Sequence, residues 1–314
     1  MTEKKSVLVT GGAGFLGSIM VPALLESGCK VTVLDNFMFK QNSLTTSCAN
    51  PDFSVVKGDA RNEELLKELL KNADTIIPLA ALVGAPLCSL DPIGATSLNL
   101  DGQLTLLKLL SPSQQVLMPI TNSGYGVGEE GKFCTEETPL KPISLYGKHK
   151  VEIEDRALER ENTISFRLAT VFGMAPRMRT DLLVNDFVYR AVYDRAVVLF
   201  EGHFKRNYIH IRDVSRAFLH AMENFETMKG EPYNVGLSDA NLSKRELCNV
   251  IIKHIPSFVP VEAPIGEDPD KRDYIVSNEK IEATGFKPAH SLDMGIQELI
   301  KGYTMIRDSV YGNV

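Results

Sequence analysis

Tyr146 and Lys150 stand four residues apart in Tyr146-Gly-Lys-His-Lys150, which puts them one turn apart on a helix face. An ammonium group beside a phenol stabilises phenolate, lowers its pKa and lets the tyrosine serve as a base near neutral pH. A chain with nine tyrosines yields such a spacing readily by chance, and a surface tyrosine on a charged helix looks the same. Upstream, Pro119-Ile-Thr-Asn-Ser-Gly-Tyr-Gly126 offers hydroxyls at Thr121 and Ser123. Such hydroxyls often only satisfy loop backbone. Order along the chain raises these residues above coincidence, because a ligand-binding turn precedes both.

That turn lies in Val7-Leu-Val-Thr-Gly-Gly-Ala-Gly-Phe-Leu-Gly17, a β-branched run closed by glycines at 11, 14 and 17 and followed by apolar Ile19, Met20, Ala23 and Leu24. The pattern predicts a strand, a tight turn and a helix N-terminus. Glycines there let the backbone approach a pyrophosphate, whose charge the helix dipole and free N–H groups favour. The next strand, Lys30-Val-Thr-Val-Leu34, runs into Asp35, eighteen residues beyond Gly17. An acid at that place accepts adenosine ribose hydroxyls and repels a 2′-phosphate, so the expected cofactor is NAD rather than NADP.

The elements that must position these groups follow from periodicity. Candidate strands fall at 6–10, 30–34, 53–57, 74–80, 115–120 and 163–168, separated by amphipathic helices such as Asn62–Lys71 with leucines at 65, 66, 69 and 70. This alternation predicts an α/β fold, a Rossmann-type doubly wound parallel sheet with helices on both faces. Ligands of such sheets sit beyond the carboxyl ends of the strands, where the turn after Val9 and the segment after Ile120 fall. The pattern loosens beyond Gly173. A basic loop at 174–179 precedes a helix near 180–194 and a short strand at 197–200. Ser243-Lys-Arg-Glu246 is a capping box that starts a helix through about His254, and smaller helices follow near 277–284 and 291–306. The expected organisation is an NAD-binding domain over 1–173, with 207–236 returning to it. Residues 174–206 and 237–314 form a smaller lobe.

Composition narrows the classes. The 314 residues are 44% hydrophobic and 24% charged, ordinary for a soluble globular protein. A net charge of −6 argues against non-specific nucleic-acid binding, so an anionic ligand needs a local cluster of bases. The five cysteines (29, 48, 88, 134 and 248) are scattered and lack metal-ligand spacing, and the six histidines form no HxxxH or HExxH pair. No metal site is expected. The first residues run straight into a strand without a signal-peptide core, and no apolar run approaches the ~18 residues of a membrane span. A cytoplasmic enzyme, away from membranes, is the expectation.

Taken together, the motifs resemble the extended short-chain dehydrogenase/reductases of the nucleotide-sugar epimerase/dehydratase group, over nearly the whole chain. The TGxxGxxG turn is Thr10–Gly17 and the YxxxK pair is Tyr146 and Lys150. The resemblance implies catalysis by Thr121, Tyr146 and Lys150. For the cofactor it implies Gly11, Gly14, Phe15, Leu16 and Gly17 in the turn, Asp35 and Asn36 after the second strand, and Asp59 and Ala60 after the third. It adds Leu79, Ala80 and Ala81 after the fourth strand, where Pro78 replaces the usual histidine, and a helix asparagine, Asn99. Near the nicotinamide it implies Thr170 and Val171, with Thr170 replacing a usual asparagine. For a nucleotide-diphospho-sugar it implies Val83, Asn122, Ser123, Arg179 and Asn185, with Arg206 and Arg272 gripping the diphosphate. Arginines suit that role because a guanidinium binds phosphate oxygens bidentately; Arg177 and Lys271 are further basic candidates. The resemblance also implies a homodimer packed through helices near 92–110 and 144–161. Leu98, Leu104, Leu107, Val151 and Leu158 on them fit ordinary packing on the sheet equally well.

Within that group, the 4,6-dehydratases carry a carboxylic acid at one of the two positions after the catalytic threonine. Asn122 and Ser123 stand there, so dehydration is disfavoured. The 3,5-epimerase/reductases carry a cysteine where Ser123 stands, which disfavours that branch as well. Oxidation at C4 to a keto sugar and C4 epimerisation remain, sharing the same residues. The segments Ile77–Cys88, Thr121–Gly126, Phe166–Gly173 and Asp268–Tyr274 are similar to the GDP-manno-heptose 4-dehydrogenases, implying GDP-D-glycero-D-manno-heptose as substrate and a place in capsular heptose synthesis. A non-catalytic NAD-binding regulator is a third reading, against which the intact Thr121, Tyr146 and Lys150 stand.

Overall fold

Seven strands make one wholly parallel sheet: β1 (Ser6–Thr10), β2 (Lys30–Asp35), β3 (Phe53–Lys57), β4 (Thr75–Pro78), β5 (Gln115–Thr121), β6 (Thr163–Leu168) and β7 (Pro232–Val235). Their order is β7-β6-β5-β4-β1-β2-β3. The structure is a computed structural model describing residues 4–40, 42–263, 265–266 and 271–306. The expected α/β, Rossmann-type architecture is the one observed.

Burial explains why these runs are strands. β4 and β6 are buried at every position, as the interior strands of a parallel sheet covered on both faces must be, whereas β3 at the edge keeps no fully buried residue. Side chains alternate between faces. Val7 and Val9 join one core with Val33, Ile77, Leu117, Ile164 and Phe166, under helices α1 (Gly17–Glu26) and α6 (Ile211–Glu223). Leu8 and Leu34 join the other with Ile76, Val116, Met118 and Ile120. That core is covered by α2 (Glu63–Leu70), α3 (Gly102–Leu109) and α4 (Leu145–Leu158).

Asn62 caps α2, its side chain accepting from Leu65 N. The expected helix near 92–110 is interrupted: short helices at Ala85–Leu90 and Pro92–Thr96 lead into a π-helical stretch, Ser97–Asp101, before α3. Beyond β6 the chain leaves the sheet. Thr170–Phe172 pairs in parallel with Lys205–His210, which pairs antiparallel with Asn241–Ser243. Ala196–Leu199 pairs with Val259–Glu262, and Phe133–Cys134 with Ile275–Val276. Helix α5 (Leu183–Tyr193) follows the basic loop. α7 (Lys244–His254) starts at the expected capping box, and α8 (Leu292–Tyr303) packs against α5. All five cysteines are free, and among the described residues no helix is long and apolar enough to cross a membrane.

The strand order reverses between β1 and β4, which opens a crevice at the carboxyl ends of the strands. The glycine turn, Asp35, Thr121, Tyr146 and Lys150 line the cleft that fills it.

Candidate active site

The turn after β1 is built for a close approach. Gly11 has φ +70°, and a Cβ there would meet Ala80 N at 2.5 Å, so only glycine fits between β1 and the end of β4. A Cβ on Gly17 would collide with the Gly12 carbonyl, which explains why the first turn of α1 begins on glycine. Gly11, Gly14, Phe15, Leu16 and Gly17 line the cleft beneath that helix N-terminus.

Asp35 ends β2 and ties two segments together. Its Oδ2 accepts from Ala13 N at 2.9 Å and its Oδ1 from Phe37 N at 2.7 Å. Asn36, Asp59 and Ala60 line the same end of the cleft, and Asp59 is paired with Arg61, which holds its carboxyl below the usual range. A glycine cradle, a helix N-terminus and an acid after β2 fit the pyrophosphate and adenosine of NAD. Across the crevice, Leu79, Ala80, Ala81, Val83, Thr170 and Val171 complete the walls.

The reacting end gathers Thr121, Ser123, Tyr146 and Lys150 with Arg179 and Arg272. Ser144 caps α4 by accepting from Gly147 N, which starts the helix that carries Tyr146 and Lys150 on one face. Lys150 Nζ donates to Pro119 O at 3.0 Å, and burial pushes its pKa down to about 8. Thr121 Oγ1 donates to Ser123 Oγ at 2.9 Å and accepts from Ser123 N at 3.1 Å. Arg272 Nη1 donates to the same Ser123 Oγ. Arg179 forms an ion pair with Asp181 at 2.5 Å.

The sequence profile of the NAD dependent epimerase/dehydratase family matches residues 7–236. The chain belongs to that family. Low-salt glycan biosynthesis protein Agl12 of Haloferax volcanii is 30% identical, with 95% of this chain and 98% of that protein aligned. The crystal structure of dTDP-glucose 4,6-dehydratase from Bacillus anthracis with NAD superposes with a TM-score of 0.82 at 25% identity, covering 98% of both chains. UDP-glucose 4-epimerase of Thermotoga maritima, solved with UDP-glucose, gives 0.81 at 26% identity, covering 96% of this chain and 99% of its own. This is therefore an NAD-dependent enzyme of the epimerase/dehydratase family, with an extended short-chain dehydrogenase/reductase fold.

Several residues that this family resemblance implied for ligand contact are placed otherwise. Asn99 is buried and does not line the cleft: its Oδ1 accepts from Leu82 N and its Nδ2 donates to Leu82 O, both at 2.8 Å. It fastens the segment that carries Val83. Asn185 likewise serves backbone, accepting from Gly173 N and donating to Arg179 O, so it steadies the basic loop from behind. Asn122 is buried outside the cleft lining, and neither of its amide atoms has a hydrogen-bond partner among the described residues. Arg206 is buried over the Tyr274 ring, donating to Lys205 O; Tyr274 lines the cleft and Arg206 does not. Arg272 lines it, but at Ser123. In the similar segment Asp268–Tyr274, residues 268–270 lie outside the described residues.

The expected effect of Lys150 on Tyr146 is also corrected. Desolvation pushes the Tyr146 phenol up to about 12. The positive groups that offset this are Arg179 and, more weakly, Arg272; the thiol of Cys88 adds to the rise. The spacing of Tyr146 and Lys150 gave no sign of this because those arginines come from distant segments.

Sequence reasoning missed Phe39, whose ring takes the Arg177 guanidinium at 4.0 Å. Both line the cleft, as do Met38, Leu182 and Tyr274. The aromatic residues after Asp35 were the available signal, in Asn36-Phe-Met-Phe-Lys40.

Proposed function

We propose that the enzyme oxidises a nucleotide-diphospho-sugar at C4 with NAD, GDP-D-glycero-D-manno-heptose being the substrate that the resembling segments favour. The observation that carries the reading is the distribution of charge. Among the described residues, the carboxylates lining the cleft are Asp35 and Asp59, both at the end that fits adenosine, whereas the end with Tyr146 holds hydroxyls, Lys150 and two arginines. A 4,6-elimination needs a carboxylic acid beside the sugar, and none lines that end among the described residues. The guanidinium groups suit a diphosphate-linked substrate, and similarity to an enzyme solved with UDP-glucose supports a nucleotide sugar.

Bound NAD would supply a hydride acceptor for the carbinol carbon and a positively charged ring. Tyr146 takes the hydroxyl proton as the carbonyl forms. Arg179 and Arg272 favour its phenolate against the desolvation that opposes it. Lys150, fastened to Pro119 O, would hold the nicotinamide ribose.

Mixing the protein with NAD and GDP-D-glycero-D-manno-heptose, following 340 nm absorbance and product mass, tests the proposal. NADH formation with a sugar two mass units lighter is expected. An isomer of unchanged mass without NADH supports the second reading, a nucleotide-sugar 4-epimerase, which the likeness to UDP-glucose 4-epimerase favours. The proposal extends to a homodimer packed through the helical segment 92–110, which includes α3, and the segment 144–161, which includes α4, its oligomeric state testable by sedimentation.

A further inference from the structure

The hydroxyls at the end of β5 are not equivalent. A hydroxyl has one proton to donate and two lone pairs to accept with. Thr121 has committed its proton to Ser123 Oγ and takes the N–H of Ser123, leaving one acceptor position. Ser123 Oγ accepts twice, from Thr121 Oγ1 and from Arg272 Nη1, so both lone pairs are occupied and its own proton remains. Ser123 is 4% exposed, and no acceptor for that proton stands among the described residues. Its residue lines the cleft with Tyr146, Thr121 and Arg272.

We propose that Ser123, not Thr121, is the hydrogen-bond donor to the reacting sugar oxygen, and that Thr121 and Arg272 are positioning residues acting through it. A hydroxyl that accepts from a cation and from a second hydroxyl is polarised and donates more strongly. Such a donor stabilises the negative charge that gathers on the substrate oxygen as Tyr146 removes its proton. Arg272, from the C-terminal lobe, thereby completes a donor on β5 only when that lobe is in place. Thr121 keeps one lone pair, open to a sugar hydroxyl other than the reacting one, whose single proton goes to Tyr146. The inference rests on the nucleotide-sugar reading above and adds the identity and order of the hydroxyl relay.

The test compares Ser123→Ala, Ser123→Thr, Thr121→Ala and Arg272→Lys with the parent enzyme. Single-turnover NADH formation is measured at saturating sugar, and nucleotide-sugar binding to the NADH-loaded protein by calorimetry. Melting temperature and NADH fluorescence show that each variant is folded and holds its cofactor. Ser123→Ala is expected to slow turnover about 10²-fold, as loss of an oxyanion donor does, and to weaken binding to the NADH-loaded protein. Ser123→Thr, which keeps the hydroxyl, is expected to recover most of both. Thr121→Ala and Arg272→Lys are expected to lose about tenfold, because each only orients the donor. A Ser123→Ala enzyme within threefold of the parent, alongside a Thr121→Ala enzyme slowed 10²-fold or more, would overturn the assignment. Tyr146→Phe separates the two readings: retained turnover there sinks the proposed reaction, whereas the binding defect of Ser123→Ala is read without turnover.

Discussion

The Lys150 ammonium is fastened to the Pro119 carbonyl at 3.0 Å, so the helix that carries Tyr146 is pinned to the strand that ends in Thr121. The bond holds a buried cation whose pKa burial pushes down to about 8 from the usual 10.5. Below about pH 8 the residue is charged in folded and unfolded chains alike, and its desolvation opposes folding in full. Between about 8 and 10.5 the folded chain releases a proton that the unfolded chain keeps, so the opposition fades as pH rises. Lys150→Met is therefore expected to melt a few degrees higher at pH 7, with the difference shrinking toward pH 10. Turnover should fall as well, because the proposed hold on the nicotinamide ribose is lost. Thermal melting across pH 6–10 beside a rate assay checks both; a variant that melts lower throughout would show that the Pro119 bond outweighs desolvation.

Asp35 is expected to set cofactor choice through structure as well as charge. Its two oxygens accept from Ala13 N in the glycine turn and Phe37 N in the following segment. Asp35→Ala removes both charged hydrogen bonds and the repulsion of a 2′-phosphate. NAD affinity should fall about tenfold or more, with the NADP-to-NAD ratio rising. Fluorescence titration with NADH and NADPH reads the two effects together, and an unchanged ratio would remove Asp35 from the selection.

Gly11→Ala tests the close approach. The added methyl would sit 2.5 Å from Ala80 N in a backbone with φ +70°, so β1 and the segment after β4 must separate. The separation widens the cradle as well as straining the turn. NAD affinity should drop more than melting temperature alone explains, measured on protein still folded by circular dichroism. Equal affinity would mean that the turn has room the geometry denies.

The central strands and the glycine turn were legible because doubly covered parallel strands are near-continuous apolar runs, and because Gly11 and Gly17 each answer a steric demand. The asparagines were not. Asn99 and Asn185 read as polar ligands in a sequence, yet each is consumed by backbone groups of another segment. Nothing local reports such a partner. Helix periodicity around 92–110 likewise concealed the π-helical stretch at Ser97–Asp101, which places Asn99 against Leu82. Outside the seven-stranded sheet the strands are two to six residues long, too short for a period to show. The placement of Arg206 over Tyr274 and of Arg272 at Ser123 depends on how those short pieces meet.

Behind the site, Glu154 on α4 accepts from Arg167 Nε at 2.8 Å and from Ser165 Oγ at 2.5 Å, both on β6. Glu154 and Arg167 are 1% and 8% exposed. Arg167 also reaches Tyr125 Oη at 3.2 Å and Glu136 O, and Tyr125 donates to Asn234 on β7, so the pair ties α4 to β6 and, through the turn after β5, to β7. Removing one partner strands a buried charge: Glu154→Ala should destabilise the protein by about 3–5 kcal/mol. Replacing both, Glu154→Met with Arg167→Met, should restore most of that loss, because apolar groups of similar volume need no pairing. The Tyr125 hydroxyl keeps its bond to Asn234 in the double variant. Denaturant unfolding of the single and double variants checks the difference. A double variant as unstable as the single one would show that Arg167 matters for Tyr125 and Glu136 rather than for Glu154.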